Sequence, residues 1–306
     1  MKIDIIIPNF NGLELLEKNL PLLLKKTEKN KGIHITVIDD CSTDSSVEFL
    51  KKNEPKIKVI RNEKNIGFAK SVNKAVSQSE GEIVILLNSD VYPKNDFIEP
   101  LISHFADPSV FAVGCLDKSL ENGKEIDRGR GIGKWERGFL VHAAGSLDKK
   151  DTLWVSGGSG AFRKSTWEKL GGFNTIYAPF YWEDIDLSYR ALKSGYKTVF
   201  ERQSVVVHEH EKGSIKTQYA KSFITSVAYR NQLLFVWLNV TDSDILLSHI
   251  LWLPYHCIAA LIRFDFSFLA GLLKAVLLMP LVVSERLKNK KTFVLGDKEV
   301  IKSHLE

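Results

Sequence analysis

Cysteine is scarce in this chain of 306 residues: Cys41, Cys115 and Cys257 stand far apart, odd in number and in no CxxC pair. That spacing argues against a disulfide framework or a paired-cysteine zinc site and points to a reducing compartment. A basic stripe interleaved with aromatics is also missing and the formal net charge is only +5, so no nucleic-acid partner is expected. Neither an internal repeat nor a low-complexity segment is present. The first residues lack the shape of a signal peptide, because Asp4 and Pro8 break any apolar run; the expectation is an N-terminal part that folds in the cytoplasm. No GxGxxG follows the first apolar stretch, where "PNFNG" (8–12) stands instead, which speaks against a dehydrogenase. The Gly-rich loop with Arg or Lys that a nucleotidyltransferase would carry there is absent too.

What is present is a globular composition, 44% hydrophobic and 26% charged, enough for a sizeable core. The length fits about two domains, or one large α/β domain with an extension. Strand and helix then alternate. "IDIIIP" (3–8), "HITVID" (34–39), "IKVI" (57–60) and "IVILL" (83–87) read as short buried strands. Between them, Leu13, Leu16, Leu20 and Leu23 recur at helical spacing behind Asn11 as the expected cap. "DSSVEFLKKN" follows Asp44 as the next helix, and "FAKSVNKAVSQS" (68–79) is the third. This order predicts a mostly parallel sheet with helices on both faces. The segment 117–138 is Gly-rich and charged without clear periodicity and reads as a mobile loop or hairpin over a site. "LWVSGGSGAF" (153–162) regains strand character, "YWEDIDLSYRALKSG" (181–195) reads as a helix with Leu187, Ala191 and Leu192 inward, and "KTVF" and "SVVVH" are the last strands.

Ligands of open α/β sheets bind outside the carboxyl ends of the strands. Polar clusters fall at those ends here: Pro8-Asn9, Asp39-Asp40, Asn88-Ser89-Asp90 and His208. The fourth strand in particular ends in three oxygen-bearing side chains where a plain turn would suffice.

The stretches "IIIPNFNG", "VIDDCSTDSS", "NIGFAKSVNKA", "ILLNSDV", "GGSGAFRKSTWEKLGGFN" and "FYWEDIDLSYRALKSGY" resemble, in unbroken order from residue 3 to about 210, the motifs of family 2 glycosyltransferases with a GT-A fold, nearest to rhamnosyltransferase-like bacterial members. The resemblance implies an inverting, metal-dependent transfer from a UDP- or dTDP-sugar. Under it Asp39 matches the acid that accepts a hydrogen bond from the base imide N–H, and a fixed carboxylate there rejects cytosine, which has no donor at that ring nitrogen. The plain alternative is that Asp39 and Asp40 only start the turn toward the helix at 45–52. Pro8 and Asn9 shape the floor under the nucleoside, and Asn62, Asn65 and Lys70 border base and ribose. Asn88-Ser89-Asp90 matches the family's Asp-X-Asp motif with asparagine first: Asp90 is the expected ligand of Mn2+ or Mg2+, which take carboxylate, phosphate and water oxygens, while Asn88 touches ribose or a metal-bound water. His208 matches a histidine completing the metal site, with His210 as the substitute. Glu183-Asp184 matches the Glu-Asp motif beneath the acceptor, Asp184 as the base that takes the hydroxyl proton and Glu183 orienting sugar hydroxyls; the plain alternative is that both complement a helix dipole. Trp182 and Tyr181 offer aromatic faces to a sugar or are core, and Gly157 to Gly160, Gly158 among them, let the donor sugar approach bare backbone. A catalytically inactive sugar-nucleotide-binding or scaffold protein, or a nucleotidyltransferase on a similar sheet, are the competing classes.

From Ile245 to Val283 the composition changes: Asp265 is the one acid amid the runs 245–262 and 266–283, and "ERLKNKK" follows. Each run is near the lower limit for a span of about 20 residues, with prolines and histidines inside. The expectation is a catalytic domain over 1–215 and, over 216–306, a helical extension lying on the cytoplasmic face of the cell membrane near a lipid-linked or polysaccharide acceptor; a buried soluble helical pair is the alternative.

Overall fold

The structure is a computed structural model and describes residues 1–28, 32–54, 56–94, 96–121, 124–209 and 219–305. The four expected strands form: β1 (Ile3–Asn9), β2 (Ile33–Asp39), β3 (Lys58–Arg61) and β4 (Ile83–Leu87). They pair in parallel in the order β3-β2-β1-β4. Their crossovers are α1 (Leu13–Thr27), α2 (Ser46–Asn53) and α3 (Phe68–Ser77). All five residues of β4 are buried, as a strand covered on both faces requires.

Beyond β4 the directions mix. After β5 (Val91–Pro93) and α4 (Ile98–Ser103), β6 (Val110–Glu121) and β7 (Lys124–Arg128) form a hairpin, and β8 (Gly131–Glu136) and β9 (Phe139–Ala144) a second one. The turn of the second is Arg137-Gly138, both at positive φ (48° and 83°), the backbone that a two-residue hairpin turn demands. The aperiodic segment 117–138 is therefore hairpin; its β7 residues are all exposed, which removes the alternation a reader of sequence needs. β10 (Ser159–Arg163) inserts antiparallel between β4 and β6, and β11 (Lys197–His208) lies parallel to β6 with β5 along its other edge. "KTVF" and "SVVVH" are thus one strand, kinked by a register shift between Glu201 and Val205.

Two details differ from the sequence reading. Asn11 does not cap α1: at φ 51° it turns its side-chain oxygen to the Thr43 N–H, and the Leu13 N–H donates to Asp44 Oδ2 instead. Strand character begins only at Ser159, because the Gly157-Gly158 backbone is drawn against its neighbours. A Cβ on Gly158 would lie 2.5 Å from Asn88 Nδ2, and one on Gly157 2.9 Å from the Phe173 ring.

After β10 come α5 (Lys164–Lys169) and α6 (Glu183–Lys193), the latter burying Leu187, Ala191 and Leu192. The C-terminal part is α7 (Lys221–Asn239), α8 (Ser243–Ile262), α9 (Phe266–Leu277), α10 (Met279–Lys290) and α11 (Asp297–Lys302). The second apolar run is broken: α9 and α10 meet at 67°. The expected boundary at 215/216 lies outside the described residues. The helices beyond it have no core of their own, since Leu233, Phe235, Leu238 and Ile301 pack in one cluster with Leu140 of β9 and Tyr189 of α6. Lys193 of α6 and Asp297 of α11 form an ion pair of 2.7 Å that is buried on both sides.

Candidate functional site

At the β1–β2 end the two adjacent aspartates take different roles. Asp39 continues the inward face of β2 and is fully buried. Its Oδ1 accepts from Asn9 Nδ2 (3.0 Å) and Ser42 Oγ (2.5 Å), and its Oδ2 from the Ser42 N–H (3.0 Å), with Arg61 Nε at 3.7 Å. Fully buried and with both oxygens engaged inside the protein, Asp39 holds the β1 and β2 ends together, which differs from the expectation of a carboxylate open to a base. Asp40 is the carboxylate nearer the surface. Its Oδ1 accepts from Asn62 Nδ2 and the Ile66 N–H (both 2.9 Å), and its Oδ2 from the Gly67 N–H alone (2.8 Å). Asn62, expected to border the base, is buried and spends its amide on Asp40, Ser71 and Lys74; it braces the loop that Asp40 holds. Asn65 and Lys70 are exposed on that loop and on α3.

The β4 end meets α1 and the loop before it through Ser89, whose carbonyl accepts from Asn19 Nδ2 (2.8 Å) and whose hydroxyl faces Gly12. Pro8, half-buried, precedes Asn9 on this floor. Among the described residues neither Asn9 Oδ1 nor Asn88 Oδ1 has a hydrogen-bond partner, and both are buried. An unmet buried acceptor costs about 1–3 kcal/mol.

Asp90 and His208 come together as expected, Oδ2 to Nε2 at 3.3 Å. The sequence reading missed their third member. Asp117 of β6 lies 3.0 Å from His208 Nδ1 and fixes which ring nitrogen points at Asp90. Burial pushes the imidazole pKa down, but the bonds to Asp117 and Asp90 outweigh it and lift it to about 9. Among the described residues no three His, Cys, Asp or Glu side chains converge to hold a metal by themselves. Asp90 and His208, with the unanswered Asn88 oxygen nearby, form a two-donor oxygen-and-nitrogen set. That set fits Mg2+ or Mn2+ completed by phosphate and water oxygens. His210 lies outside the described residues.

Across the Gly157-Gly158 turn stand the other carboxylates. The Gly157 N–H donates to Asp184 Oδ2 at 3.3 Å, while the Asn88 N–H donates to the Gly158 carbonyl at 2.9 Å. One short turn therefore touches the Asn88-Ser89-Asp90 motif on one side and Asp184 on the other. Burial raises both acids of the Glu183-Asp184 pair. Glu183, further lifted by the charges of Asp184 and Asp186, reaches about 8. Asp184 rises less freely, because the Gly157 and Ile185 N–H groups and His142 stabilise its ionised form. Burial thus favours the proton on Glu183, while the N–H bonds and His142 favour the ionised form of Asp184. Asp186 serves structure: fully buried, it accepts from Tyr177 Oη, Asn239 Nδ2 and Arg190 Nε.

The backbone leading into this pair is strained. Tyr181 and Trp182 sit consecutively at φ 71° and 78°, a region that bulky residues avoid. They are held by α7, where Asn231 Nδ2 lies 2.9 Å from the carbonyls of Tyr177, Phe180 and Tyr181 and Arg230 reaches those of Tyr177 and Ala178. A polar pair inside the apolar run "SVAYRNQLLFVWL" was the signal available in the sequence. Trp182 is corrected here: at 6% exposure it is core, packed against Phe235 and edge-on to His142, so it offers no face to a sugar. Tyr181, 38% exposed, keeps its ring outward.

Comparison with known proteins agrees with this geometry. Among solved structures, the GalNAc-T7 complex with UDP, GalNAc and Mn2+ superposes with a TM-score of 0.64 at 18% identity, over 79% of this chain and 48% of that one. TarS 1–349 of S. aureus with UDP-GlcNAc gives 0.60 at 18% identity over 99% and 91%; these likenesses establish the GT-A fold. Among curated proteins, the chain is 26% identical over 222 residues to the pre-mycofactocin glycosyltransferase of Mycobacterium tuberculosis, covering 68% of this chain and 43% of that protein. It therefore spans less than half the length of that relative. It is also 26% identical over 217 residues to the O-antigen chain rhamnosyltransferase RfbN of Salmonella typhimurium, covering 69% and 67%. Residues 4–170, more than half of the chain, match the family described as Glycosyl transferase family 2, and the chain belongs to that family.

Proposed function

We propose that the chain is an inverting glycosyltransferase that moves a sugar from a UDP- or dTDP-sugar to a hydroxyl of a lipid-linked or polysaccharide acceptor in cell-surface glycan synthesis. The observation that carries this is the Gly157-Gly158 turn, which lies between the Asn88-Ser89-Asp90 motif and the Asp184 carboxylate. A sugar bound beside that turn has its leaving diphosphate toward Asp90 and its acceptor toward Asp184. The names of the Salmonella relative and of the UDP-GlcNAc complex support the reading.

In this mechanism Asp184 takes the proton of the attacking hydroxyl as the new bond forms, a role worth roughly 10²–10⁴-fold. Glu183, protonated, donates a hydrogen bond that orients a sugar hydroxyl. Asp40, whose Oδ2 has a free lone pair, replaces Asp39 as the acceptor for the base imide N–H, with Asn65 and Lys70 at the ribose side. Asn9 and Asn88 offer their unanswered oxygens to ligand hydroxyls. Asp90 and His208 would hold a divalent cation, which supplies positive charge to the departing diphosphate. Incubating the protein with a panel of nucleotide sugars and Mn2+ tests the reading: release of UDP or dTDP from one donor is expected, and no release from any of them overturns it.

The same reading places the protein on the cytoplasmic face of the cell membrane. α8 is long and apolar enough to cross a membrane, with mean hydropathy 1.8, and is mostly uncovered by the protein. Its corner with α9 carries Ile262 (72% exposed), Phe264 (76%) and Phe266 (66%). An exposed apolar corner of this size marks an interaction surface, and the bend between α9 and α10 supports helices lying in one leaflet. Fractionation of cells expressing the full chain is expected to find it in the membrane fraction, released by detergent and not by salt.

A further inference from the structure

A cavity of about 300 Å³ opens beside that corner, away from the nucleotide site, and is lined by Arg137, Phe139, Tyr229, His256, Arg263 and Phe268 among others. Its walls are the turn of the β8–β9 hairpin, α7, the end of α8 and the start of α9. The two guanidinium groups distinguish it. Among the described residues neither Arg137 nor Arg263 has a carboxylate within ion-pair distance, although two acids line the same cavity. Glu136 is paired with Lys134 at 2.6 Å, and Asp265 accepts from Tyr229 Oη at 2.9 Å while capping α9. Each acid thus has a closer partner than the arginines, although the charge of Arg137 still acts on Glu136. Two guanidinium groups and the aromatic Phe139 and Phe268 in one cavity lining suit a phosphate bound through two-pronged hydrogen bonds.

The rim narrows the ligand further. Leu261, Ile262, Phe264 and Phe266 stand exposed around the α8–α9 corner next to Arg263, and a free anion would gain nothing from them. A molecule with a phosphate head and an alkyl tail satisfies both halves. The cavity is also one layer from the chemistry. On β9, Phe139 and Val141 line it, while the next residue, His142, packs on Trp182 and acts on Asp184. On α7, Tyr229 and Gln232 line it, while Arg230 and Asn231 hold the 177–181 carbonyls. We infer that the cavity between the Arg137 turn and the α8–α9 corner binds the phosphate head of a membrane amphiphile whose tail lies along the exposed apolar residues. The inference rests on the membrane reading above and adds the class of lipid that the site selects.

Dodecyl phosphate, kept monomeric below its micelle concentration, is the probe for the cavity itself. It is expected to raise the melting temperature saturably, to bind at least about 10-fold more weakly to the Arg137→Gln/Arg263→Gln double variant, and to bind Lys290→Gln/Lys291→Gln like the parent. Inorganic phosphate at the same concentration should give no shift. Equal binding by the arginine double variant, an equal loss in the lysine control, or an equal response to inorganic phosphate overturns the proposal. A second arm uses phosphatidylcholine vesicles with and without phosphatidic acid. Binding to neutral vesicles reads the apolar corner and should be the same in parent and variant, whereas the gain from phosphatidic acid should be lost in the arginine variant alone. If the parent binds no vesicle yet still binds dodecyl phosphate through the arginines, the membrane reading fails and the cavity stands. Vesicle binding with a gain from phosphatidic acid that survives in the arginine variant rejects the cavity and leaves the membrane face.

Discussion

The proposed nucleotide end and the proposed acceptor end of this site are built in opposite ways. Around β1 and β2 each carboxylate is braced by neighbours on consecutive loops: Asp39 by Asn9 and Ser42, Asp40 by Asn62, Ile66 and Gly67. Around Asp184 the acids are raised above their usual range, the backbone enters at positive φ, and the fixing groups come from a helix some fifty positions away in sequence. The first end is a socket closed by the loops that follow consecutive strands. The second is held in a costly arrangement by tertiary contacts, and such arrangements persist only where the surroundings over-determine them. Donor binding and chemistry should therefore respond separately to substitution.

Asp184→Asn should separate them most widely. The amide keeps the shape but cannot take a proton, so kcat should fall by about 10²–10⁴-fold with donor affinity unchanged. Donor affinity is read by titration with UDP or dTDP in the presence of Mn2+. A variant that loses donor binding but keeps its rate would move Asp184 to the nucleotide end and erase the contrast.

The next largest effect concerns the C-terminal helices as scaffold of the acceptor end. Asp297 accepts from Lys193, Tyr189 and the Thr241 and Asp242 N–H groups, all at 2.6–2.8 Å. Asp297→Ala would leave the Lys193 ammonium buried without its counter-charge, a loss of about 3–5 kcal/mol when one partner of a buried pair is removed. The urea midpoint should drop accordingly. A midpoint within error of the parent would show that the C-terminal helices are an appendage after all. The same pair explains why a truncation near residue 243 should yield a poorly folded chain.

The first half of the fold was legible because each element there carries its own period: four short apolar runs, three helical stripes, and turn residues between them. The sequence also brought Asp90 and His208 to one place, since both end strands on the same sheet edge. It chose Asp39 over Asp40 as the base acceptor, a choice that depends on which of two neighbours continues the inward face of β2. It could not see Asp117, which lies in a stretch whose exposed hairpin shows no alternation. Trp182 looked like a sugar platform from its place beside Glu183, yet the covering residues, Phe235 above all, belong to a helix more than fifty positions later. What was hidden in each case was a contact between distant segments.

Asp117 gives a smaller test at the socket end. Removing the carboxylate that orients a metal-binding imidazole usually costs about 10–100-fold in metal affinity. Asp117→Ala should therefore weaken Mn2+ binding by that factor, measured by titrating Mn2+ alone and following its electron paramagnetic resonance signal. His208→Ala should be no better than the Asp117 variant. If Asp117→Ala binds Mn2+ like the parent, Asp117 belongs to the sheet and not to the site.

The finest contrast is within the acceptor end, between two adjacent acids. Glu183 is lifted to about 8 by burial and by the charges of Asp184 and Asp186, so it carries its proton below that pH and loses it above. Asp184 keeps hydrogen bonds that favour its ionised form. Glutamine resembles the protonated Glu183, so Glu183→Gln at pH 7 should change kcat by no more than about threefold, well short of losing a general base. The sign reverses in alkali. In the parent, raising the pH through 8 places a second negative charge beside Asp184, and the rate should fall. In Glu183→Gln no such charge forms, and the rate should stay level up to the limit set by the rest of the protein. The pair of kcat profiles from pH 6 to 9.5 decides it. A variant that is slow at every pH, with an alkaline limb like the parent's, would mean that Glu183 acts as a carboxylate and that the division of labour with Asp184 is the other way round.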